Sequence, residues 1–234
     1  MFKKMFMVFG MLLILIPSYV FATEFIFGDS AIYWTNWESS NSDGYVNDNI
    51  TDAIGHPNLT GGNGISEGGY LTSLNIFYTN YDSLVKAGDL FIDVGNNGNF
   101  NYVLTNDGRI YQFNDEFLSS SKGVNDSSYI VTTKWPGYYI RNDHPYELDE
   151  SLLPSGSYIG TYNFSEFNGD GSVNYSGLNL LVGSDFTIAF AVSCANDVLY
   201  ERVSTPVPEP ATMLLLGTGL IGLAGVGRKQ LLKK

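Results

Sequence analysis

Between positions 211 and 227 the chain carries no charged residue, and this run limits the fold more than any other stretch. Its 17 residues would extend about 25 Å as a helix, the short end of what crosses a bilayer. Met213, Leu214, Leu215, Leu216, Leu220, Ile221, Leu223 and Val226 supply apolar surface. Gly217, Gly219, Gly222, Gly225 and Gly227 each cost roughly 1 kcal/mol of helix propensity in water. In lipid the helix is still expected, because an unpaired backbone group there costs more. Arg228, Lys229, Lys233 and Lys234 follow at once, and basic residues beside a span stay on the cytoplasmic side. The expectation is a transmembrane helix at 211–227, a basic cytoplasmic tail at 228–234, and a body on the opposite side of the membrane.

Just upstream, residues 206–210 hold Pro208, Glu209 and Pro210. Each proline lacks a backbone donor and biases the residue before it towards an extended form. An extended segment at the membrane surface is a shape that a processing enzyme can bind. In that order, Pro-Glu-Pro, apolar run and basic end resemble the PEP-CTERM sorting signal. The resemblance implies recognition by exosortase, an integral-membrane cysteine transpeptidase or protease. It also implies association with exopolysaccharide production.

The other end of the chain agrees with export. Lys3 and Lys4 precede an apolar core at 5–16, Pro17 and Ser18 break it, and Val20-Phe21-Ala22 has the form of a cleavage site. Residues 1–22 therefore read as a secretory signal peptide, cut between Ala22 and Thr23. The partners expected are the Sec translocon, signal peptidase, the membrane and exosortase. The expected course is an inner-membrane-anchored precursor and a mature form at the cell surface or outside the cell.

The remaining segment, 23–205, is long enough for one domain with a sizeable core. From Thr23 to Pro210 the chain has 6 Lys and Arg against 24 Asp and Glu, a net charge of −18. Such a surface repels phosphate backbones, so nucleic acid is not an expected partner. Cys194 is the only cysteine, which excludes an internal disulfide. Folding is expected to need neither metal nor disulfide.

Alternation sets the fold class. In 186–193, Phe186, Ile188, Phe190 and Val192 share one face, and Thr187, Ala189, Ala191 and Ser193 the other. Leu74, Ile76 and Tyr78 share a face in 70–79, as do Leu90, Ile92 and Val94 in 89–94. Further strands are expected at 31–37, 101–105, 109–113, 129–134, 138–141, 158–164 and 173–175. Turn signals separate them at Asn96-Asn97-Gly98, Asn106-Asp107-Gly108 and Asn168-Gly169-Asp170-Gly171. The reading is an all-β, antiparallel β-sandwich or jelly-roll-like ectodomain. Residues 39–69, polar and rich in Gly and Asn, are expected to be surface loops.

Several body segments are also similar to exosortase-dependent surface proteins: 88–98, His144-Pro145 and Ser193-Cys194-Ala195-Asn196-Asp197. That likeness implies display, and supplies no activity for the body.

Catalytic signals are thin. Gly64-Ile65-Ser66-Glu67-Gly68 has the form of a nucleophile elbow, but that motif needs a strand before it and a helix after it, and a β run follows here. Glu147-Leu148-Asp149 is similar to the start of a glucanase catalytic strand, but Ser151 and Leu152 stand where a second acid is needed. A nucleophilic Cys194 would need a histidine partner that the sequence does not place, so a core or bend position is expected. His56 and His144 each precede a proline and read as loop residues rather than metal ligands. Asn168, Asp170 and Ser172, and more loosely Asp93, Asn96 and Asn97, group oxygens without the closing Glu of a calcium loop, so a turn without metal is favoured. No catalytic residue, metal or cofactor is expected. Trp34, Trp37 and Trp135, with Tyr138 and Tyr139, are the candidates for a sugar-stacking platform, although packing in the core is the stronger reading. Three functions follow in order: a non-enzymatic surface or extracellular-matrix protein associated with exopolysaccharide and biofilm, a carbohydrate-binding module, and a polysaccharide hydrolase.

Overall fold

The computed structural model describes residues 22–29, 31, 34, 56–80, 84–113, 130–132, 144–165, 171–205 and 217–221. The chain divides into two units. Ala22–Pro206 contains the strands; the other unit comprises Met1–Phe21 and Val207–Lys234.

Thirteen strands are seen among the described residues, all paired antiparallel. In chain order they are β1 (Ala22–Phe27), β2 (Asn58–Glu67), β3 (Tyr70–Thr79), β4 (Ala87–Val94), β5 (Tyr102–Leu104), β6 (Arg109–Gln112), β7 (Ile130–Thr132), β8 (Pro145–Leu148), β9 (Tyr158–Thr161), β10 (Asn163–Ser165), β11 (Ser172–Leu181), β12 (Asp185–Val192) and β13 (Val198–Ser204). The first sheet runs β1-β2-β3-β11-β10, the second β13-β12-β4-β5-β6-β9, and β7 and β8 form a separate pair. The two large sheets share one apolar core. Phe25, Leu59, Leu74, Ile76, Val173 and Tyr175 enter it from the first sheet, and Leu90, Ile92, Leu104, Phe186, Ile188 and Phe190 from the second. The alternation read in 186–193, 70–79 and 89–94 is what puts those side chains inside.

The chain changes sheets at Tyr162, between β9 and β10. The Tyr162 hydroxyl donates to the Thr105 carbonyl at 2.6 Å, and its ring stacks on Tyr175 with centroids 5.7 Å apart. The Asp107-Gly108 hairpin forms as expected. Gly108 N donates to the Thr105 carbonyl at 2.9 Å, and Gly108 has φ +90°, a conformation that favours glycine.

Three expectations need correction. Residues 158–164 are not one strand but divide at Tyr162 into β9 of the second sheet and β10 of the first. Residues 58–67 are not loop but β2, a long strand between β1 and β3. Its glycines are there for close approach: a Cβ on Gly62 would stand 2.5 Å from the Phe27 ring, and one on Gly64 would stand 2.3 Å from the Phe25 ring. Glycine in a strand can mark such an approach as well as a loop. The strand expected at 31–37 is also not seen at Ala31 or Trp34, the two residues described there. The strand expected at 138–141 lies outside the described residues.

In the other unit only 217–221 are described, and they are helical. Among the described residues no helix is long and apolar enough to cross a membrane. The rest of 211–227, and residues 1–21, lie outside the described residues.

Candidate functional site

Each sequence candidate in the body can now be placed. Trp34 is fully buried and cannot face a sugar. This corrects its reading as a glycan contact. It roofs the second sheet on the side away from the main core, packed edge-on against Phe91, Phe100 and His144 at centroid distances of 5.2, 5.7 and 5.3 Å. Its indole N–H donates to the Phe190 carbonyl at 3.4 Å. Trp37, Trp135, Tyr138 and Tyr139 lie outside the described residues.

His144 is buried beside Trp34, and its bonding fixes its tautomer. The Pro145 carbonyl can only accept, so Nδ1, 2.9 Å away, carries the proton. Nε2 then accepts from the Trp34 backbone N–H at 3.4 Å. Both ring nitrogens are thus engaged within the body. His56 is exposed.

The buried acids Asp89, Asp93 and Asp197 receive backbone N–H groups. Asp89 Oδ1 accepts from Asn106 N and Oδ2 from Leu148 N, both at 2.8 Å. One carboxyl therefore joins β4 to the β5–β6 turn and to the end of β8. Burial pushes its pKa up to about 8, against the lowering effect of those two hydrogen bonds; Glu147 and Glu150 nearby raise it further. Asp93 accepts from Asn97 N at 3.1 Å and Gly98 N at 2.8 Å, which closes the β4–β5 turn. This cluster, considered for calcium, spends its carboxylate on the chain itself. Ser172 opens β11, and its hydroxyl donates to Asn174 Oδ1 at 3.3 Å; Asn168 and Asp170 lie outside the described residues. Among the described residues no group of three or more His, Cys, Asp or Glu is placed to hold a metal ion.

Glu147 accepts from Asn106 Nδ2 at 3.0 Å, and Asp149 caps the short 3-10 turn Glu150–Leu152. Arg109 pairs with Asp107 and Glu150, and Tyr111 donates to Glu150 at 2.7 Å. The Arg109 guanidinium holds the Asp107 carboxyl below the usual range. Ser66 of the apparent elbow is buried at the end of β2, and β3 follows instead of a helix.

The Ser193–Asp197 segment is a clamp. Asp197 accepts from Leu59 N with one oxygen and from Val198 N, at 2.8 Å, with the other. Asn196 donates to the Pro57 carbonyl at 3.0 Å and accepts from the Cys194 thiol at 2.9 Å. The β12–β13 turn of the second sheet thereby holds the start of β2 in the first. Cys194 sits in that bend, half-buried, as expected.

One surface was not foreseen. On the face of the first sheet turned away from the core, Asn75 donates to Asn63 at 2.8 Å and Asn63 donates to Glu24 at 3.0 Å. Register places Asn174 next in the same row, with Ile26, Ile65 and Phe77 exposed around it. The only signal for this row was one polar residue at alternate positions in each strand.

At the ends of the body, Ala22 and Thr23 open β1, and Thr205 N donates to the Ser184 carbonyl at 2.8 Å where β13 ends. Pro208, Glu209, Pro210, Arg228, Lys229, Lys233 and Lys234 lie outside the described residues. Their pattern is decided by comparison: a family model of the PEP-CTERM protein-sorting motif matches residues 206–229. The tail is a PEP-CTERM sorting motif. It implies an exported protein processed by exosortase, a membrane enzyme. No curated protein and no solved structure matches the chain. The PEP-CTERM match covers the tail and leaves the activity of the body to be argued from its own residues.

Proposed function

We propose that this is a non-enzymatic protein of the cell surface or extracellular matrix, associated with exopolysaccharide and biofilm and delivered by exosortase. In this reading residues 1–22 are a signal peptide cut before Thr23. Residues 211–227 hold a precursor in the inner membrane, and Arg228, Lys229, Lys233 and Lys234 keep its end in the cytoplasm. The two-sheet body is a β-sandwich displayed outside. The observation that carries the proposal is the sorting motif at 206–229, with Pro-Glu-Pro, apolar run and basic end in order. Two features of the body support it. The buried acids Asp89, Asp93 and Asp197 are engaged by backbone amides, as in a scaffold. The strong negative charge suits an outward-facing, soluble surface. With Trp34 buried, the aromatic platform loses one of its three tryptophans, so the carbohydrate-binding reading is not preferred.

Replacing Pro208, Glu209 and Pro210 together by alanine tests the proposal. Insertion should persist, because residues 211–227 are unchanged. Processing should be lost, because the extended shape and the carboxylate are gone. The measurement is the mass of the cell-bound chain in an exosortase-bearing host. Trimming as efficient as in the parent chain would reduce the tail to an ordinary anchor.

A further inference from the structure

β1 is an unusual strand in three respects. It is the outermost strand of its sheet, paired only to β2 among the described residues. It is also the first strand of the body, so in a chain cut before Thr23 it is attached at one end only. Finally, β1 ends at Phe27 and β2 begins at Asn58, so 30 residues separate two antiparallel neighbours. Such neighbours are commonly joined by about 2–5 residues. A short hairpin would tie β1 directly to its own β2; here the next anchor described after Phe27 is Trp34, buried seven residues on, so residues 28–33 would be the hinge of any exchange.

The seat that β1 occupies is built for it. Phe25 and Phe27 point inward, and the facing positions of β2 are Gly64 and Gly62. A Cβ at either glycine would collide with a phenylalanine ring. Phe25 also meets Phe186 of the second sheet edge-on at 5.8 Å. The groove is therefore apolar, shaped for two rings, and costly to leave empty. Any occupant must carry phenylalanines at alternate positions of an extended strand.

We infer that β1 is an exchangeable strand whose alternative seat is the Gly62/Gly64 groove of a second copy of this chain. The same backbone pairs and the same ring contacts form in either arrangement, so the exchange changes only which chain supplies the strand. Within one copy the tether sets the effective concentration of β1 at its own groove. Neighbouring copies compete with it once they are dense, as sorting to one surface would make them. A copy that lends β1 to one neighbour and accepts it from another extends an open assembly.

Register gives a direct test. Ile26 lies opposite Asn63, and both face away from the core. In a Cys194→Ser background, two full-length chains are co-expressed, one with Ile26→Cys and the other with Asn63→Cys. Exchange predicts a disulfide-linked pair between the two chains whose yield rises with expression level. A chain bearing both substitutions gives the yield within one copy. As a control, Ile26→Cys is paired with Ile159→Cys on exposed β9 of the other sheet, which should not cross-link. Absence of the Ile26–Asn63 product between chains overturns the inference, whatever the yield within one copy. So does a control that cross-links equally well, since that would be random collision. The readout is a cross-link rather than a trimmed mass, so failure here is separable from failure of the sorting proposal.

Discussion

The two large sheets solve the same problem differently. The second sheet is covered on both faces along β4, β5 and β12. Phe186, Ile188 and Phe190 of β12 enter the main core, while Ala189 and Ala191 of the same strand enter a second one under Trp34, Phe100 and Leu148. Among the described residues the first sheet is covered on one face, and its other side shows Glu24, Asn63 and Asn75 with Ile26 exposed beside them. A sheet buried on both faces can hold a carboxyl in its interior, but every oxygen then needs a donor. A sheet with a wet face carries its polar groups there at little cost. The contrast teaches that acids in the second sheet bind the fold together, whereas amides on the first are available to the surroundings.

Asp89 gives the largest expected effect. Its pKa in the fold is pushed up to about 8, chiefly by burial, from an ordinary value of 3.8. The folded chain therefore holds this proton up to about pH 8, while the unfolded chain releases it near pH 4. Between those values the folded state binds more protons, so this group's contribution to stability is fully present below about pH 4 and falls as pH rises through about 8. The loss is on the order of several kcal/mol. Asp89→Asn removes the titration, so it should flatten this part of the profile, while its amide nitrogen, set against one of the two backbone donors, lowers stability at every pH. Denaturant unfolding of the body at a series of pH values would show it. An unchanged slope would mean that Asp89 is ionised in the fold, held so by its two backbone donors.

Trp34→Ala tests the roof. A fully buried tryptophan replaced by alanine should cost about 3–5 kcal/mol, read as a lower denaturation midpoint. If the roof were loosely held, the loss would fall below about 1 kcal/mol, the level of an exposed site. Gly64→Ala tests the close approach of β1 to β2. The added methyl meets the Phe25 ring at 2.3 Å and the Ser73 carbonyl at 2.9 Å. A loss of about 1–3 kcal/mol is expected from such overpacking. Shortening the ring by Phe25→Leu in the same chain should recover part of it, since neighbours in contact are not additive.

How much of this was legible follows from the same contrast. The strand at 186–193 was readable because its two faces differ in size, Phe and Ile against Ala and Thr, so the period of two survives burial on both sides. β2 was not, because Gly61, Gly62 and Gly64 carry no side-chain pattern; their reason lies in the rings of another strand. β1 was hidden because five residues after an export segment offer too short an alternation. For Trp34 packing in the core was already the stronger reading, but its neighbours Phe91, Phe100 and His144 are distant along the chain and could not be named from the sequence. Nothing in the sequence singled out Asp89, because its donors Asn106 and Leu148 come from 17 and 59 residues away. The sorting motif of the tail was legible, because its message is the order of segments and needs no tertiary contact.

The smallest effect is expected on the wet face. Asn75→Val removes the hydrogen bond to Asn63 and leaves the Asn63 carbonyl oxygen, which water can reach, to be solvated instead. Valine gains strand propensity at the same position. The two changes oppose each other, and the net should lie within about 0.5 kcal/mol of zero. The pairing of β3 with β2 and β11 should be intact, since Leu74 and Ile76 on either side still hold the strand in the core. A loss above about 2 kcal/mol, the level of a buried polar group left unsatisfied, would show that this face is covered in the folded protein. The difference drawn between the two sheets would then disappear, and the Glu24–Asn63–Asn75 row would be a second buried clamp rather than a surface.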